Sequence, residues 1–77
     1  MVSVIRFDNV DDLRRFSELA SQEDFNIYIS TQMGMLDAKS LMGLFTILGK
    51  EVSVAAPDHV NPDAFCEFLN KYSNTLK

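Results

Sequence analysis

Two strand-like runs joined by a short turn occupy residues 25–38, FNIYISTQMGMLDA, near the middle of this chain. In the first run, Ile27 and Ile29 lie on one side, as in a strand with one buried face. The turn contains Gly34, which adopts the positive φ of a tight turn without strain. The second run, MLDA, alternates in the same way. Strands joined by so short a turn pair antiparallel, and the segment therefore predicts a β-hairpin.

The segments on either side of the hairpin alternate between strand and helix. Residues 2–7 (VSVIRF) and 51–56 (EVSVAA) are rich in Val and predict two further strands. Three other segments have apolar residues at helical spacing, each after a capping residue. The helices are expected from Asn9 to about Gln22, from Ser40 to Gly49, and from the Asn61-Pro62 pair onward. Their apolar stripes are Leu13, Phe16, Leu19 and Ala20; Leu41, Leu44, Phe45 and Leu48; and Ala64, Phe65, Phe68, Leu69 and Tyr72.

The predicted element order is β-α-β-β-α-β-α, and no repeat or linker interrupts it. A chain of 77 residues is expected to form one domain, residues 1–77, with a modest core. One hairpin among alternating helices and strands favours an α+β fold, in which helices pack on one face of an antiparallel sheet.

Composition excludes several classes of protein. The formal net charge is −4 and no Lys/Arg cluster is present, so a nucleic acid would be repelled. One Cys and one His are too few for an internal disulfide or a structural zinc site, and we expect no metal and no cofactor. The apolar run at residues 41–48 is too short to span a membrane, and the pattern of a secretory leader is absent. We therefore expect a soluble, cytoplasmic protein.

The segment that leads from the hairpin into the second helix, FNIYIS…LDAKSLMGLF, resembles a known family. It is similar to HPr, the histidine-containing phosphocarrier of the bacterial sugar phosphotransferase system, whose motif reads roughly L-K-S-I-M-G. The similarity is specific over residues 25–49, and the element order agrees over the whole chain. The resemblance implies an HPr-like open-faced β-sandwich, in which three helices cover one face of a four-stranded antiparallel sheet.

The phosphate-carrying motif of HPr is not found in the equivalent stretch. HPr proteins have a motif like G-I-H-A-R-P-A, in which the histidine accepts the phosphoryl group and the arginine helps to hold it; this chain reads DNVDDLRRF. Counting back from Ser40 without gaps places Asn9 at the histidine position and Asp11 at the arginine position. Asn9 has no imidazole, and the carboxylate of Asp11 repels phosphate. The resemblance thus implies a former active centre without catalytic residues, at which Asn9 caps a helix.

Ser40 has two compatible interpretations. As an N-cap, its hydroxyl would accept a hydrogen bond from the first helical turn, which is worth about 1 kcal/mol. In many Gram-positive HPr proteins a dedicated kinase phosphorylates the matching serine, so the resemblance also implies a phosphorylation site. A phosphate at the start of a helix meets free N–H groups.

Leu41, Met42 and Phe45 match the apolar positions through which HPr proteins dock enzymes and transcriptional regulators. The resemblance therefore implies a partner-binding surface, for which Met is suited because its side chain adapts to different shapes. The alternative is that all three side chains belong to the core, although Leu44 and Leu48 are better core candidates.

Three further candidates have ordinary structural explanations. His59, the only histidine, lies in the loop before the last helix and is expected to be solvated rather than catalytic. Cys66 is expected to pack against the core. Arg14 and Arg15 are expected to be solvated, with anion binding as the alternative.

Three functions remain open on these observations. The first is a non-enzymatic, HPr-like regulatory module that binds proteins through the helix starting at Ser40 and lacks phosphohistidine chemistry. Its partners would be a serine kinase, enzymes of the phosphotransferase system or a transcriptional regulator. The second is a phosphocarrier with an atypical acceptor, and the third is an assembly protein unrelated to sugar uptake. The oligomeric state stays open.

Overall fold

A four-stranded antiparallel sheet and three helices make up the fold in the computed structural model, which describes residues 2–75. The predicted α+β class is confirmed. The elements in chain order are β1 (Val2–Arg6), α1 (Val10–Ser21), β2 (Tyr28–Thr31), β3 (Gly34–Asp37), α2 (Leu41–Leu44), a 3-10 turn (Phe45–Ile47), β4 (Glu51–Ala55) and α3 (Pro62–Thr75).

The strands lie in the order β1-β4-β2-β3, and every neighbouring pair is antiparallel. The predicted hairpin is confirmed: Thr31 lies opposite Gly34, and the two residues between them form the turn. Gly34 has a φ of 126°, which an L side chain rarely adopts. The first hairpin strand begins at Tyr28, three residues later than the pattern suggested. Ile27, just before β2, is still hydrogen-bonded to the residue after β3, because its carbonyl accepts a 2.9 Å hydrogen bond from the N–H of Ala38.

The sheet buries one face and leaves the other open. Across the strands, Val54 and Ile29 lie in one row on the covered face, and both are fully buried. The next row belongs to the open face and ends in Val4 and Met35, which are exposed. Side chains alternate between the two faces along each strand, and the helices cover only one of these faces.

Aromatic side chains hold α1 and α3 against the sheet. Phe7, directly after β1, is fully buried and packs edge-to-face on Phe16 with ring centroids 5.0 Å apart. Phe16 makes the same type of contact with Phe68 and Tyr72 of α3, at 5.2 Å in each case. Edge-to-face pairs stabilise a core by about 0.5–1.5 kcal/mol beyond their buried area. This cluster fixes the start of α1 relative to α3.

The predicted second helix is shorter than expected. Regular α-helix ends at Leu44, and the backbone tightens into the 3-10 turn. As a 3-10 turn has fewer residues per turn than an α-helix, the buried position shifts by one residue. Ile47 is buried and Leu48 is 38% exposed, so the prediction that Leu48 belongs to the core is wrong. Gly49 ends the segment as predicted, with a φ of 77°.

Among residues 2–75, no helix is both long enough and apolar enough to cross a membrane.

Candidate functional site

The N-terminus of α1 is capped by Asn9. Its backbone is extended, with φ −151° and ψ 167°, and its Oδ1 accepts a 2.9 Å hydrogen bond from the N–H of Asp12. The predicted cap is confirmed. The side-chain carbonyl of Asn9 therefore stabilises the first turn of α1.

The charges around this N-terminus are paired within the chain. Arg6 lies 3.2 Å from Asp8, and Arg14 lies 3.5 Å from Asp11. The guanidinium of Arg15 donates a 3.0 Å hydrogen bond to the carbonyl of Thr75, near the end of α3. All three arginines are exposed, as was expected for Arg14 and Arg15, and each has a partner of its own. An anion at this N-terminus would meet carboxylates as well as guanidinium groups, and each guanidinium group already has a partner. The arrangement therefore does not favour anion binding.

Tyr72 lies beneath the same region. Burial, with smaller contributions from Asp12 and Asp8 that outweigh the opposing effect of Arg15, raises the pKa of Tyr72 to about 12. A phenol with so high a pKa stays protonated and neutral near pH 7. Tyr72 therefore supplies packing at this position, and neither a base nor a nucleophile.

Ser40 precedes α2 but does not cap it through its side chain. Its ψ is 93°, against 167° for Asn9, and its hydroxyl makes no hydrogen bond to the first turn. The prediction of a side-chain cap is therefore wrong, because in this backbone conformation no first-turn N–H has hydrogen-bonding geometry to the hydroxyl. Only the Ser40 carbonyl takes part, accepting a 3.3 Å bond from the N–H of Leu44. The Ser40 side chain is exposed.

The carboxylate of Asp37 shapes the approach to Ser40. Its Oδ1 accepts a 2.9 Å hydrogen bond from the N–H of Lys39, and its carbonyl accepts a 3.0 Å bond from the N–H of Ser40. These two bonds close the turn before α2. The backbone conformation of Ser40 thus follows from the turn that precedes it.

Leu41, Met42 and Phe45, here called the α2 surface, differ in exposure. Met42 is 84% exposed and Phe45 is 45% exposed, whereas Leu41 is half-buried and packs against the core. The alternative that all three are core residues is therefore wrong for Met42 and Phe45. Apolar side chains so close together and so open are typical of an interaction site.

Several further apolar side chains are exposed without having been predicted to be, among them Val10 and Leu48. Val10 opens α1 and is 47% exposed, and Leu48 follows the 3-10 turn. The N–H of Gly49 donates a 2.7 Å hydrogen bond to the carbonyl of Phe7, which ties the segment after the α2 surface to the segment before α1. Val10 was detectable, because it lies off the helical stripe of Leu13 and Phe16.

His59 and Cys66 are separate from these residues. His59 is exposed in the turn before α3, as expected. Cys66 is also exposed, so the prediction that it packs in the core is wrong; the inward face of α3 is formed by Phe65, Phe68 and Tyr72. Within residues 2–75, no cluster of His, Cys, Asp and Glu is arranged to hold a metal ion.

No protein-family model and no curated protein matches this chain. Among solved structures, the chain is similar to HPr-C-His from Thermoanaerobacter tengcongensis, with a TM-score of 0.71. The two are 18% identical, and the match covers 95% of this chain and 91% of that one. At this identity the likeness concerns the fold, including the order and packing of its elements. The chain therefore has an HPr-like fold.

Proposed function

We propose that this protein is a non-enzymatic, HPr-like regulatory module that binds other proteins through the α2 surface and lacks phosphohistidine carrier chemistry. The observation that carries the proposal is the exposure of Met42 and Phe45 next to Ser40. Met42 and Phe45 are three positions apart on one helical segment, so their exposed side chains can form a contiguous apolar patch, and such patches mark interaction sites. We place this activity in the cytoplasm.

The absence of carrier chemistry is supported by the residues at the start of α1. In the gapless comparison from Ser40, Asn9 occupies the position of the phosphoryl-accepting histidine, and its side chain caps α1. Asp11, at the arginine position, adds a carboxylate 3.5 Å from Arg14. A phosphoryl group here would lack an acceptor nitrogen and would meet negative charge.

Ser40 supplies the regulatory part of the proposal. Its exposed hydroxyl makes no capping hydrogen bond, so a kinase could phosphorylate it without disrupting an interaction of α2. A phosphate would add a charge of about −2 beside Met42 and Phe45. Partners that present Arg or Lys would then bind more tightly, and acidic partners less tightly.

The partners we propose are a serine kinase, enzymes of the phosphotransferase system or a transcriptional regulator. A pull-down from a bacterial lysate should compare the wild type with Met42→Asp. Val2→Asp is the matched control, because Val2 is 68% exposed on β1, which lies at the opposite edge of the sheet from β3, the strand that α2 contacts. We expect Met42→Asp to lose partners that Val2→Asp keeps. If a folded Met42→Asp retains every partner, the α2 surface is not the docking site.

A second experiment separates this proposal from a phosphocarrier with an atypical acceptor. The protein is incubated with phosphoenolpyruvate and enzyme I of the phosphotransferase system, beside an authentic HPr as positive control. We expect no acid-labile phosphate on this chain, since Asn9 has no acceptor nitrogen and His59 lies in a loop before α3. Stoichiometric labelling that disappears in His59→Ala would show that the chain is a carrier.

A further inference from the structure

The methionine side chains that the structure describes all lie on the surface. Methionine is among the residue types that are most often buried in folded proteins. In this chain Met33, Met35 and Met42 are 97%, 61% and 84% exposed, respectively. Within residues 2–75, no methionine is found among the buried side chains of the core. The core therefore packs without thioether groups, and the thioether groups are open to solutes.

The three methionines belong to neighbouring elements of the fold. Met33 lies in the hairpin turn and Met35 lies on β3. The strand β3 contacts α2, which contains Met42. Met42 also belongs to the α2 surface, three positions before Phe45. A chemical change at the sulfur of Met42 therefore changes the α2 surface directly.

Exposed thioether groups react with peroxides. Hydrogen peroxide transfers one oxygen atom to the sulfur: the O–O bond breaks, an S–O bond forms, the sulfur loses two electrons, and the peroxide is reduced to water. The product, methionine sulfoxide, is polar, and methionine sulfoxide reductases return it to methionine. In a core this change disrupts packing, whereas the oxygen added to a side chain as exposed as that of Met42 remains in water.

We propose that Met42 is a site of reversible oxidation by peroxides, and that its sulfoxide makes the α2 surface polar while the fold stays intact. A partner that covers the oxidised side chain must remove a polar oxygen from water, which weakens docking. This effect on docking rests on the function proposed above, whereas the oxidation and the loss of apolar surface do not. Oxidation thus acts on the same surface as phosphorylation of Ser40, through polarity instead of charge.

Treatment of the full chain with hydrogen peroxide tests the proposal in two matched proteins. Both carry Cys66→Ser, because the exposed thiol of Cys66 also reacts with peroxide. Both also carry Met33→Leu and Met35→Leu, so that Met42 can be studied without the other two exposed methionines. The test protein keeps Met42, and the control protein carries Met42→Leu. Met1 is present in both, so its oxidation affects them equally.

Four measurements follow peroxide treatment. We expect peptide mass mapping to show one added oxygen at Met42, and retention on a hydrophobic-interaction column to fall in the test protein but not in the control. The urea midpoint of the test protein should not change, because Met42 lies outside the core. Partners captured by the untreated test protein should be lost after oxidation, and treatment with methionine sulfoxide reductases should restore both retention and capture.

Four results would each overturn the proposal. The first is an unmodified Met42 when the same peroxide oxidises the free amino acid methionine. The second is unchanged column retention in a protein whose Met42 is oxidised. The third is a lower urea midpoint after oxidation, because Met42 would then support the fold. The fourth is equal capture of partners before and after oxidation. If the untreated protein captures no partner, the function proposed above fails, and column retention still decides whether Met42 oxidation alters the surface.

Discussion

The N–H of Gly49 lies 2.7 Å from the carbonyl oxygen of Phe7 and donates a hydrogen bond to it. This bond joins the segment after the 3-10 turn to the residue two positions before the cap of α1. Phe7 is fully buried and packs on Phe16 and Tyr72. The bond therefore anchors the α2 segment to the aromatic core.

Gly49→Ala should destabilise the protein by about 1 kcal/mol. Gly49 has a φ of 77°, and a Cβ there would meet no atom within 4 Å, so the loss comes from the backbone conformation alone. Gly43→Ala is the matched control, because Gly43 is helical and its new Cβ would lie 3.6 Å from the Ser40 hydroxyl, an ordinary contact. We expect that variant to keep or gain stability. Urea denaturation measures both, and an equal loss in the two variants would contradict the explanation.

Asn9→Ala should lower the free energy of unfolding by about 1 kcal/mol, since it removes the bond to the Asp12 N–H. Asn9→Asp keeps a capping oxygen and should retain most of the stability. Ser40→Ala should change stability by less than about 0.5 kcal/mol, because the Ser40 hydroxyl caps nothing. Chemical denaturation of the three variants checks this. A loss in Ser40→Ala as large as that in Asn9→Ala would show that Ser40 does cap α2.

Ile47→Ala and Leu48→Ala test the register of the 3-10 turn. Ile47 is 3% exposed, and its truncation should cost about 2–4 kcal/mol. Leu48 is 38% exposed, so its truncation should cost less than about 1 kcal/mol. Thermal and urea unfolding of both variants give the comparison. The reverse order would mean that regular α-helix continues to Leu48.

Stability should fall as the pH rises from 10 to 12. The pKa of Tyr72 is about 12 in the folded chain, against an ordinary value of 10.0 for an exposed phenol. The folded state thus holds the phenolic proton more tightly, and the stability that this contributes is present below pH 10 and lost as the pH rises through the folded pKa. Tyr72→Phe should show a smaller decline over this interval. Unfolding at a series of pH values measures it, and parallel curves for the two proteins would contradict the assignment to Tyr72.

The element order was predictable because it depends on local signals. The hairpin was recognisable from the alternation around Ile27 and Ile29 and from Gly34, and the cap of α1 from Asn9. These signals act over a few residues, and nothing distant opposes them. The hairpin and the Asn9 cap are therefore found in the structure where the sequence predicts them.

The details near α2 were not predictable, because they depend on packing over longer distances. Ser40 follows a turn that Asp37 closes, and its ψ of 93° leaves no first-turn N–H in hydrogen-bonding geometry to its hydroxyl. Because the α-helix changes to a 3-10 turn, Ile47 is buried instead of Leu48. The apolar spacing in the sequence fits either residue at the buried position. The place where β2 and β4 cease to pair, at Ser30 and Ser53, is also specified by no short pattern.

The 3-10 turn has one further consequence. With about three residues per turn, side chains two positions apart project in directions that differ by about a third of a turn. Phe45 therefore belongs to the α2 surface, while Ile47, in the same turn, is buried in the core. Exposure of Phe45 to a partner and packing of Ile47 in the core therefore depend on the same three residues of backbone.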